Sequence, residues 1–509
     1  MNLLASANLL ASAHASPLGL LLVLAVIVPL LGLAPLLLLK ARPAERSALV
    51  VLAAGLAIVC ALCFEVARSG APLAYFLGGF RPPLGVGLRA DGFSAFMLGV
   101  TAVVMVAAGL FAMTAPGANT PRMPLAFWML LLGVWSALNL VYVADDLFAL
   151  YVALELLTFA AVPLVCLDGR AQTIAAALQY LLFALFGSVL YLLGAALLYG
   201  TYGTLDILLL AQRAHGEPAL LAALALMTAG MVAKAALFPF YLWLPAAHAG
   251  APAAASAILS AVVIKAPIFL VVRFWYDIAS PAQTAAVAPI LAALGAGAVV
   301  LCGVFALRQA RLKLLIAYST AAQIGYLFLM FPLAAASAGA GVWGAIAWTG
   351  GALHLVSHAL SKAAMFMAAG VIAETLGHDR IAQLSGVGRI VPISVFAFGL
   401  GGLSLMGLPP SGGFVAKVML LTSAVQQGAW WIAVVILLGG LLAAGYVLRV
   451  LLPALQRPHA ELVPVPVARW REMVALALAL GAVALGFVPL QPAAFLAIGR
   501  PASWDGAVP

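Results

Sequence analysis

Apolar runs of about 20 residues recur from residue 18 almost to the C-terminus, and they leave this chain few ways to fold. A run of that length spans the hydrocarbon of a bilayer as an α-helix, which satisfies its own backbone hydrogen bonds. Of the 509 residues, 66% are hydrophobic and 8% are charged, which places the chain outside the soluble globular class. The sequence therefore predicts an all-α integral membrane protein.

The apolar windows predict about fourteen transmembrane helices and no soluble domain. These windows are 18–39, 48–67, 91–113, 124–143, 147–167, 173–200, 219–248, 253–275, 283–307, 312–334, 341–373, 391–425, 430–452 and 469–498. The stretch 68–90 is rich in Gly, Pro and aromatic residues, and we expect it to fold over one mouth of the bundle. The predicted organisation has five parts: an N-terminal extension (1–17), helices 1–3 (18–113), a first half (124–275), a second half (283–452) and a last helix (469–498).

The net charge of +9 comes from basic residues scattered through short loops, which argues against nucleic acid as a partner. With the N-terminus outside, fourteen basic residues fall inside: Lys40, Arg42, Arg46, Arg122, Arg170, Arg308, Arg311, Lys313, Arg380, Arg389, Arg449, Arg457, Arg469 and Arg471. Six fall outside: Arg68, Arg81, Arg89, Arg213, Arg273 and Arg500. This bias predicts a bacterial-type inner membrane protein with both termini on the outer side. Asp145 and Asp146 are then expected in a solvated outer turn.

The sequence predicts no cofactor, metal site or redox centre within this chain. The four cysteines all lie inside predicted helices, at Cys60, Cys63, Cys166 and Cys302. Cysteines in apolar runs usually serve as small packing residues, and this placement disfavours an iron–sulfur cluster. The N-terminal extension ends in small residues, as a cleavage site does. The first basic residue of the chain is Lys40, however, so the positive segment that begins a signal peptide is missing, and we expect the extension to stay uncleaved.

Four lysines and one glutamate lie inside predicted helices: Lys234, Lys265, Lys362, Lys417 and Glu155. A charged side chain at the bilayer centre costs about 3 kcal/mol, so such residues usually face a partner, a cavity or a proton path. Glu155 lies about 12 Å into its helix, near the midplane. We expect it to pair with Lys234 and to exchange protons with the neighbouring lysines. A static ion pair that only fixes helix packing is the alternative.

Prolines and glycines interrupt two predicted helices beside these lysines. Pro239, Pro245 and Pro252 separate Lys234 from Lys265, and the run PPSGG at 409–413 precedes Lys417. Broken backbone at membrane depth is tolerated where it is packed in protein or lines water. Paired interruptions in the two halves predict inverted repeats and a site at the midplane.

A third segment carries titratable groups at spacings of four, namely His354, His358 and Lys362. This spacing places them along one helical face, where imidazoles can donate and accept in a hydrogen-bonded ladder. Two histidines at this spacing also occur in metal sites, but no third ligand accompanies them here. Histidines that only pack in the core are a further alternative.

Four stretches together resemble a known family: KAALFPFYLWLPAAHAGAPAAASAILSAVVIK, ALRQARLKLLIAYSTAAQIGY, HLVSHALSKAAMFMAAG and GLPPSGGFVAK. They are similar to the antiporter-like membrane subunits of respiratory complex I, which are related to Mrp-type cation/proton antiporters and membrane-bound hydrogenases. The resemblance implies fourteen helices with two inverted five-helix units. It also implies a coupling pair of Glu155 and Lys234, a central relay at Lys265, and a channel that ends at Lys417. It gives lesser roles to His248, His354, His358 and Lys362.

Two departures from the family pattern limit this resemblance. Ala246 stands where relatives carry an aspartate after Leu-Pro. The chain stops after the last predicted helix, so we do not expect the type with a long lateral helix.

The function predicted is proton translocation in a multisubunit respiratory-type complex that resembles NADH:quinone oxidoreductase or a hydrogenase. Its predicted partners are other membrane subunits, lipid and protons, with Na+ as an alternative ion. The alternatives are a subunit of an Mrp-type antiporter, a stand-alone secondary transporter for a metabolite, and a scaffold that moves no protons.

Overall fold

The computed structural model describes residues 17–39, 41–113, 123–214, 217–335, 341–457, 465–487 and 492–499. Its helices are α1 Leu20–Leu38, α2 Ala41–Ser69, α3 Gly92–Ala112, α4 Leu125–Val143, α5 Leu147–Val165, α6 Ala171–Tyr202, α7 Ile207–Arg213, α8 Pro218–Lys234, α9 Trp243–Gly250, α10 Ala253–Ile278, α11 Pro281–Arg308, α12 Leu312–Ala334, α13 Gly341–Leu376, α14 Val387–Ile390, α15 Pro392–Met406, α16 Gly412–Gln426, α17 Trp430–Leu455, α18 Arg469–Ala484 and α19 Pro492–Ala497. Most of the predicted extension, 1–17, lies outside the described residues.

Eleven helices in the described part of the chain are long and apolar enough to cross a membrane. The segment predicted as 219–248 is divided into α8 and α9, and 391–425 is divided into α15 and α16. The last window, predicted as 469–498, is shorter in the structure because α18 ends at Ala484. The chain is therefore a multi-pass membrane protein with broken helices. The exact number of spans and the inverted repeats stay predictions.

The stretch 68–90, for which no helix was predicted, forms a small hairpin within an otherwise helical chain. This stretch contains two antiparallel strands, β1 Leu73–Phe76 and β2 Gly87–Ala90. The hairpin pairs with the turn between α4 and α5 through Leu88 and Ala144, and Arg89 donates to the carbonyl of Gly499 at 2.7 Å. The strands thus use backbone groups that would otherwise stay unpaired at this end of the bundle.

The centre of the bundle is formed by α10, α12 and α13. The apolar windows of α10 and α13 are completely buried, whereas those of α1 and α2 are only 28% buried. A helix that is buried all round carries no amphipathic stripe, and its polar residues must therefore find partners inside the protein. Lys265, His354, His358 and Lys362 all lie on these central helices.

Candidate functional site

Glu155 and Lys234 meet in the first half of the bundle. The Nζ atom of Lys234 lies 3.4 Å from Oε1 of Glu155 and 3.2 Å from Oγ1 of Thr158. Ser188 of α6 donates to the same Glu155 oxygen. The side chain of Lys234 is 6% exposed and that of Glu155 is 17% exposed, so the carboxylate lies nearer the lateral surface of this chain. The predicted contact between these two residues is present.

A helix break positions Lys234. It is the last residue of α8, and two residues later Ala236 takes a left-handed backbone conformation with φ of 53°. The indole N–H of Trp243 donates to the carbonyl of Ala233 at 3.1 Å, which satisfies an acceptor that the end of the helix leaves free. The break is thereby packed inside protein, as broken backbone in a membrane requires.

Close packing of α6 against α8 brings Ser188 to the same place. A Cβ added at Gly187 would lie 2.5 Å from the carbonyl oxygen of Gly230 and 2.9 Å from Cγ of Lys234. Small residues let membrane helices approach closely, and a larger residue at either glycine would push α6 away. The two glycines therefore help to set the distance between the lysine and its partners.

Lys265 has no carboxylate partner among the described residues. Its ammonium donates to the carbonyl of Ser260 at 3.2 Å and to that of Ala261. The helix widens into a π turn over Leu259–Val263, immediately before the lysine. Such a turn releases carbonyl groups from the regular ladder, and these groups are the acceptors that the buried ammonium uses.

Lys362 binds oxygen atoms of α12. Its Nζ atom lies 3.0 Å from the carbonyl of Ile316 and 2.5 Å from the hydroxyl of Ser319. The next residue, Thr320, shares a hydrogen bond of 2.8 Å with the hydroxyl of Ser260 on α10. One turn of α12 therefore joins the surroundings of Lys265 to those of Lys362.

Lys417 lies beside the second helix break. Its Nζ atom donates to the carbonyl of Leu405 at 2.6 Å and lies 4.3 Å from the ring centre of Tyr326. The amide of Gln323 donates to the same carbonyl at 3.3 Å and to the hydroxyl of Tyr446 at 3.2 Å. Because α15 ends at Met406, the Leu405 carbonyl has no helical partner and is free to accept these bonds.

The histidines are placed differently from one another. Nε2 of His354 lies 3.3 Å from the carbonyl oxygen of Gln323, and its ring centre lies 6.1 Å from that of His358. Neither nitrogen of His358 has a hydrogen-bond partner among the described residues, and the same holds for His248. The ring of His248 stacks on Phe366 with centres 4.6 Å apart. The described contacts therefore leave both His248 and His358 outside the hydrogen-bonded groups around the lysines.

Sequence reasoning missed the polar residues of α12 and α17, namely Ser319, Thr320, Gln323 and Tyr446. The run YSTAAQ contains the first three at offsets of zero, one and four within an otherwise apolar helix. That spacing on one helical face was the available indication.

No hydrogen bond between described side chains joins Lys234 to Lys265, so a proton that moves between them needs water.

A second buried ionic cluster lies at the hairpin end of the bundle. Arg273 of α10 donates to both oxygens of Asp91 at 2.6 and 2.8 Å, to Asp277 at 2.9 Å and to the hydroxyl of Ser94 at 2.8 Å. Its guanidinium carbon lies 4.7 Å from the ring centre of Phe269. The sequence analysis counted Arg273 only among the basic residues on the outer side, and no sequence pattern indicated this cluster.

Asp145 is buried in the same region, so the expected solvated turn is wrong for this residue. Burial raises the pKa of its carboxyl to about 7, an effect that Arg89 opposes and Asp206 strengthens. Asp146 instead caps α5, because its side chain accepts from two backbone N–H groups. Burial alone would also raise the pKa of Asp91, but Arg273 lowers it to about 2.

Comparisons with known proteins identify a family for this chain. Residues 144–443 match the family described as NADH:quinone oxidoreductase/Mrp antiporter, transmembrane. The chain is 34% identical to NADH-quinone oxidoreductase subunit N of Desulforudis audaxviator, over 81% of this chain and 82% of that one. It is 28% identical to a Na(+)/H(+) antiporter subunit of Bacillus subtilis, over 74% and 75% of the two chains.

A solved structure supports the same assignment. The fold matches a chain of the Mrp complex from Dietzia with a TM-score of 0.84 and 25% identity, over 97% of this chain and 98% of that one. The sequence match, the broken helices and the buried lysines beside them all point to one assignment. The chain belongs to the transmembrane NADH:quinone oxidoreductase/Mrp antiporter family and is an antiporter-like membrane subunit.

Proposed function

We propose that this chain moves protons through a membrane by passing them between Glu155, Lys234, Lys265, Lys362 and Lys417. One observation carries the proposal: all four of these lysines are buried, and each binds at least one oxygen atom of the protein. Lys265, Lys362 and Lys417 bind neutral oxygen atoms, so each can lose a proton without leaving an unpaired charge behind. Lys234 can pass its proton to Glu155, which neutralises both members of that pair.

The order of the groups also supports a route. Ser260 and Thr320 connect the surroundings of Lys265 to α12, where Ser319 binds Lys362. Gln323 and Tyr446 connect the same helix to the Leu405 carbonyl that receives Lys417. Several buried polar atoms beside this route have no partner within the described protein, and each would gain a hydrogen bond by binding water. His354, which contacts the carbonyl of Gln323, is a lesser member of this route. His358 and His248 are also lesser members, and each would need a bridging water to exchange protons with the lysines.

The work must come from a partner, because moving one charge against 100 mV requires about 2.3 kcal/mol. We assign the chain to a multisubunit respiratory-type complex, in which other membrane subunits and a redox module supply that energy. Its relatives include subunits of NADH-quinone oxidoreductase and of F(420)H(2) dehydrogenase, which supports this assignment. The bias of basic residues supports a bacterial-type inner membrane with both termini outside.

Cation/proton antiport is the second candidate, and the likeness to the Mrp complex favours it. In that case a Na+ gradient replaces the redox partner, and the same lysines carry the proton. Purification in mild detergent with identification of the co-purifying chains separates the two candidates. Dehydrogenase or hydrogenase chains support the first, and further antiporter subunits support the second.

The test of proton translocation compares Lys234→Ala and Glu155→Gln with the wild type in vesicles that contain the assembled complex. We expect the initial rate of proton uptake to fall at least about tenfold, because one general acid–base group typically contributes more than that. Glu65→Gln is the matched control, since Glu65 is an ion-paired carboxylate outside the route whose side chain is 12% exposed, close to the 17% of Glu155.

Equal assembly of the variants must be checked by native gel electrophoresis. Unchanged proton uptake in both Lys234→Ala and Glu155→Gln would refute the proposed route.

A further inference from the structure

A polar cavity of about 480 Å³ lies at the end of the bundle opposite the hairpin. It is enclosed by the start of α6, the end of α9, the start of α12 and the turn that follows α13. Four basic side chains line it: Arg170, Arg311, Lys313 and Arg380. None of the residues proposed for the proton route lines this cavity.

The charges that line this cavity do not balance. Asp379 is the one carboxylate in the described lining, and it pairs with Nε of Arg311 at 2.9 Å. Arg170 pairs with Asp168 beside the cavity. Lys313 donates to the carbonyl of Ala251 at 3.0 Å, and neither it nor Arg380 forms an ion pair within the described residues. An excess of positive charge is therefore left facing the cavity.

Two further features favour an anion. Both α6 and α12 begin at the cavity, and the first turn of a helix attracts negative charge through its free N–H groups and its dipole. The Nδ1 atom of His378 is buried in the lining without a hydrogen-bond partner among the described residues. An oxyanion would receive donors from several directions there, which is how phosphate groups are held.

We propose that this cavity binds the phosphate group of an anionic phospholipid. It lies at the ends of membrane-spanning helices, where lipid headgroups are found, and the count of basic residues assigns this end to the inside. Basic pockets between transmembrane helices on that side bind anionic headgroups. Phosphatidylglycerol and cardiolipin carry the required charge, whereas the net charge of phosphatidylcholine is zero.

The experiment uses the purified full chain in detergent, together with the subunits that accompany it. Phosphatidylglycerol, cardiolipin, phosphatidylcholine and inorganic phosphate are titrated separately, and binding is followed by the shift of the thermal unfolding midpoint. We expect the two anionic lipids to stabilise the protein and phosphatidylcholine to have little effect. Arg380→Gln and Lys313→Gln should each weaken anionic-lipid binding about fivefold, the value of one basic charge near a membrane surface.

Arg389→Gln is the matched control, because Arg389 is an exposed arginine at the same predicted side and does not line the cavity. Stabilisation by inorganic phosphate alone, lost in Arg380→Gln, would keep the site and replace lipid by a soluble anion. Equal binding of phosphatidylcholine and phosphatidylglycerol would overturn the proposal. So would equal losses in Arg380→Gln and Arg389→Gln.

Discussion

Two buried ion pairs in the described part of the chain are built in contrasting ways. Arg273 uses a planar guanidinium to make four short hydrogen bonds, to two carboxylates and one hydroxyl. Lys234 has one contact with Glu155, at 3.4 Å, and one with a threonine hydroxyl. Arginine stays charged at all relevant pH values, whereas a buried lysine can give up its proton.

The contrast separates a structural clamp from a group that exchanges protons. The Arg273 cluster joins α10 to the start of α3, and Asp91 also caps α3 through the N–H of Ser94. The pair around Lys234 lies at a helix break, and the carboxylate retains some exposure. Replacing the first should change stability, and replacing the second should change proton movement.

The largest expected effect on stability is that of Arg273→Ala. Removing one partner of a buried pair costs about 3–5 kcal/mol, because the remaining charge is left buried without compensation. Thermal unfolding in detergent measures this loss. Arg68→Ala is the control: Arg68 also makes a two-bond pair, with Glu65, but its side chain is 60% exposed, so its loss should lower the unfolding midpoint far less. Equal losses in the two variants would show that the Arg273 cluster is no stronger a clamp than an exposed pair.

The double variant Glu155→Gln with Lys234→Met should separate stability from function. Replacing both members of a buried ion pair by neutral residues often restores the stability that a single replacement removes. Proton uptake should nevertheless stay at least about tenfold below the wild type, because no titratable group remains at either position. Unfolding midpoints and the rates of proton uptake in vesicles are compared for Glu155→Gln, for Lys234→Met and for the double variant. Recovery of proton uptake in the double variant would favour a static pair.

A smaller effect is expected from Tyr446→Phe, which removes one hydroxyl near Lys417. Loss of one hydrogen bond of about 0.5–1.5 kcal/mol corresponds to a slowing of roughly twofold to tenfold in proton uptake. Tyr326→Phe is the matched control, because its hydroxyl bonds the carbonyl of Ile436 at 3.1 Å and its ring, which faces Lys417, is retained. If both variants slow proton uptake equally, the hydroxyl of Tyr446 has no special role.

A further expected effect concerns pH and Asp145. Its pKa is about 7 when folded and about 3.9 in an unfolded chain, so the folded state binds this proton more tightly. The wild type therefore loses this stabilisation as pH rises from about 4 through about 7. Asp145→Asn cannot ionise, and its unfolding midpoint should fall less than that of the wild type between pH 5 and pH 8. The charges that face Asp145 are those of Arg89, Asp206, Arg273 and Asp277.

Scans of the unfolding midpoint at several pH values test this last expectation. Parallel curves for Asp145→Asn and the wild type would show that this carboxyl does not set the pH dependence of stability.

Several parts of the site followed from local sequence. Lysines in apolar runs are costly, so Lys234, Lys265, Lys362 and Lys417 could be identified from the residues around them alone. The breaks near Pro239 and Pro409 followed from the missing N–H of proline. By contrast, the partners of Lys265 and Lys417 are backbone carbonyls, which every residue possesses, so no residue type in the sequence marks them.

The sequence by itself determined that the chain spans a membrane and carries buried charge, because apolar length and charge cost are properties of each segment alone. Only the tertiary structure decided which oxygen each ammonium binds. The π turn before Lys265, the free carbonyl of Leu405 and the approach of Gly187 to Gly230 all depend on how separate helices pack. Arg273 and Asp91 are 182 residues apart, and sequence distance carries no information about such a pair until the helices are in place.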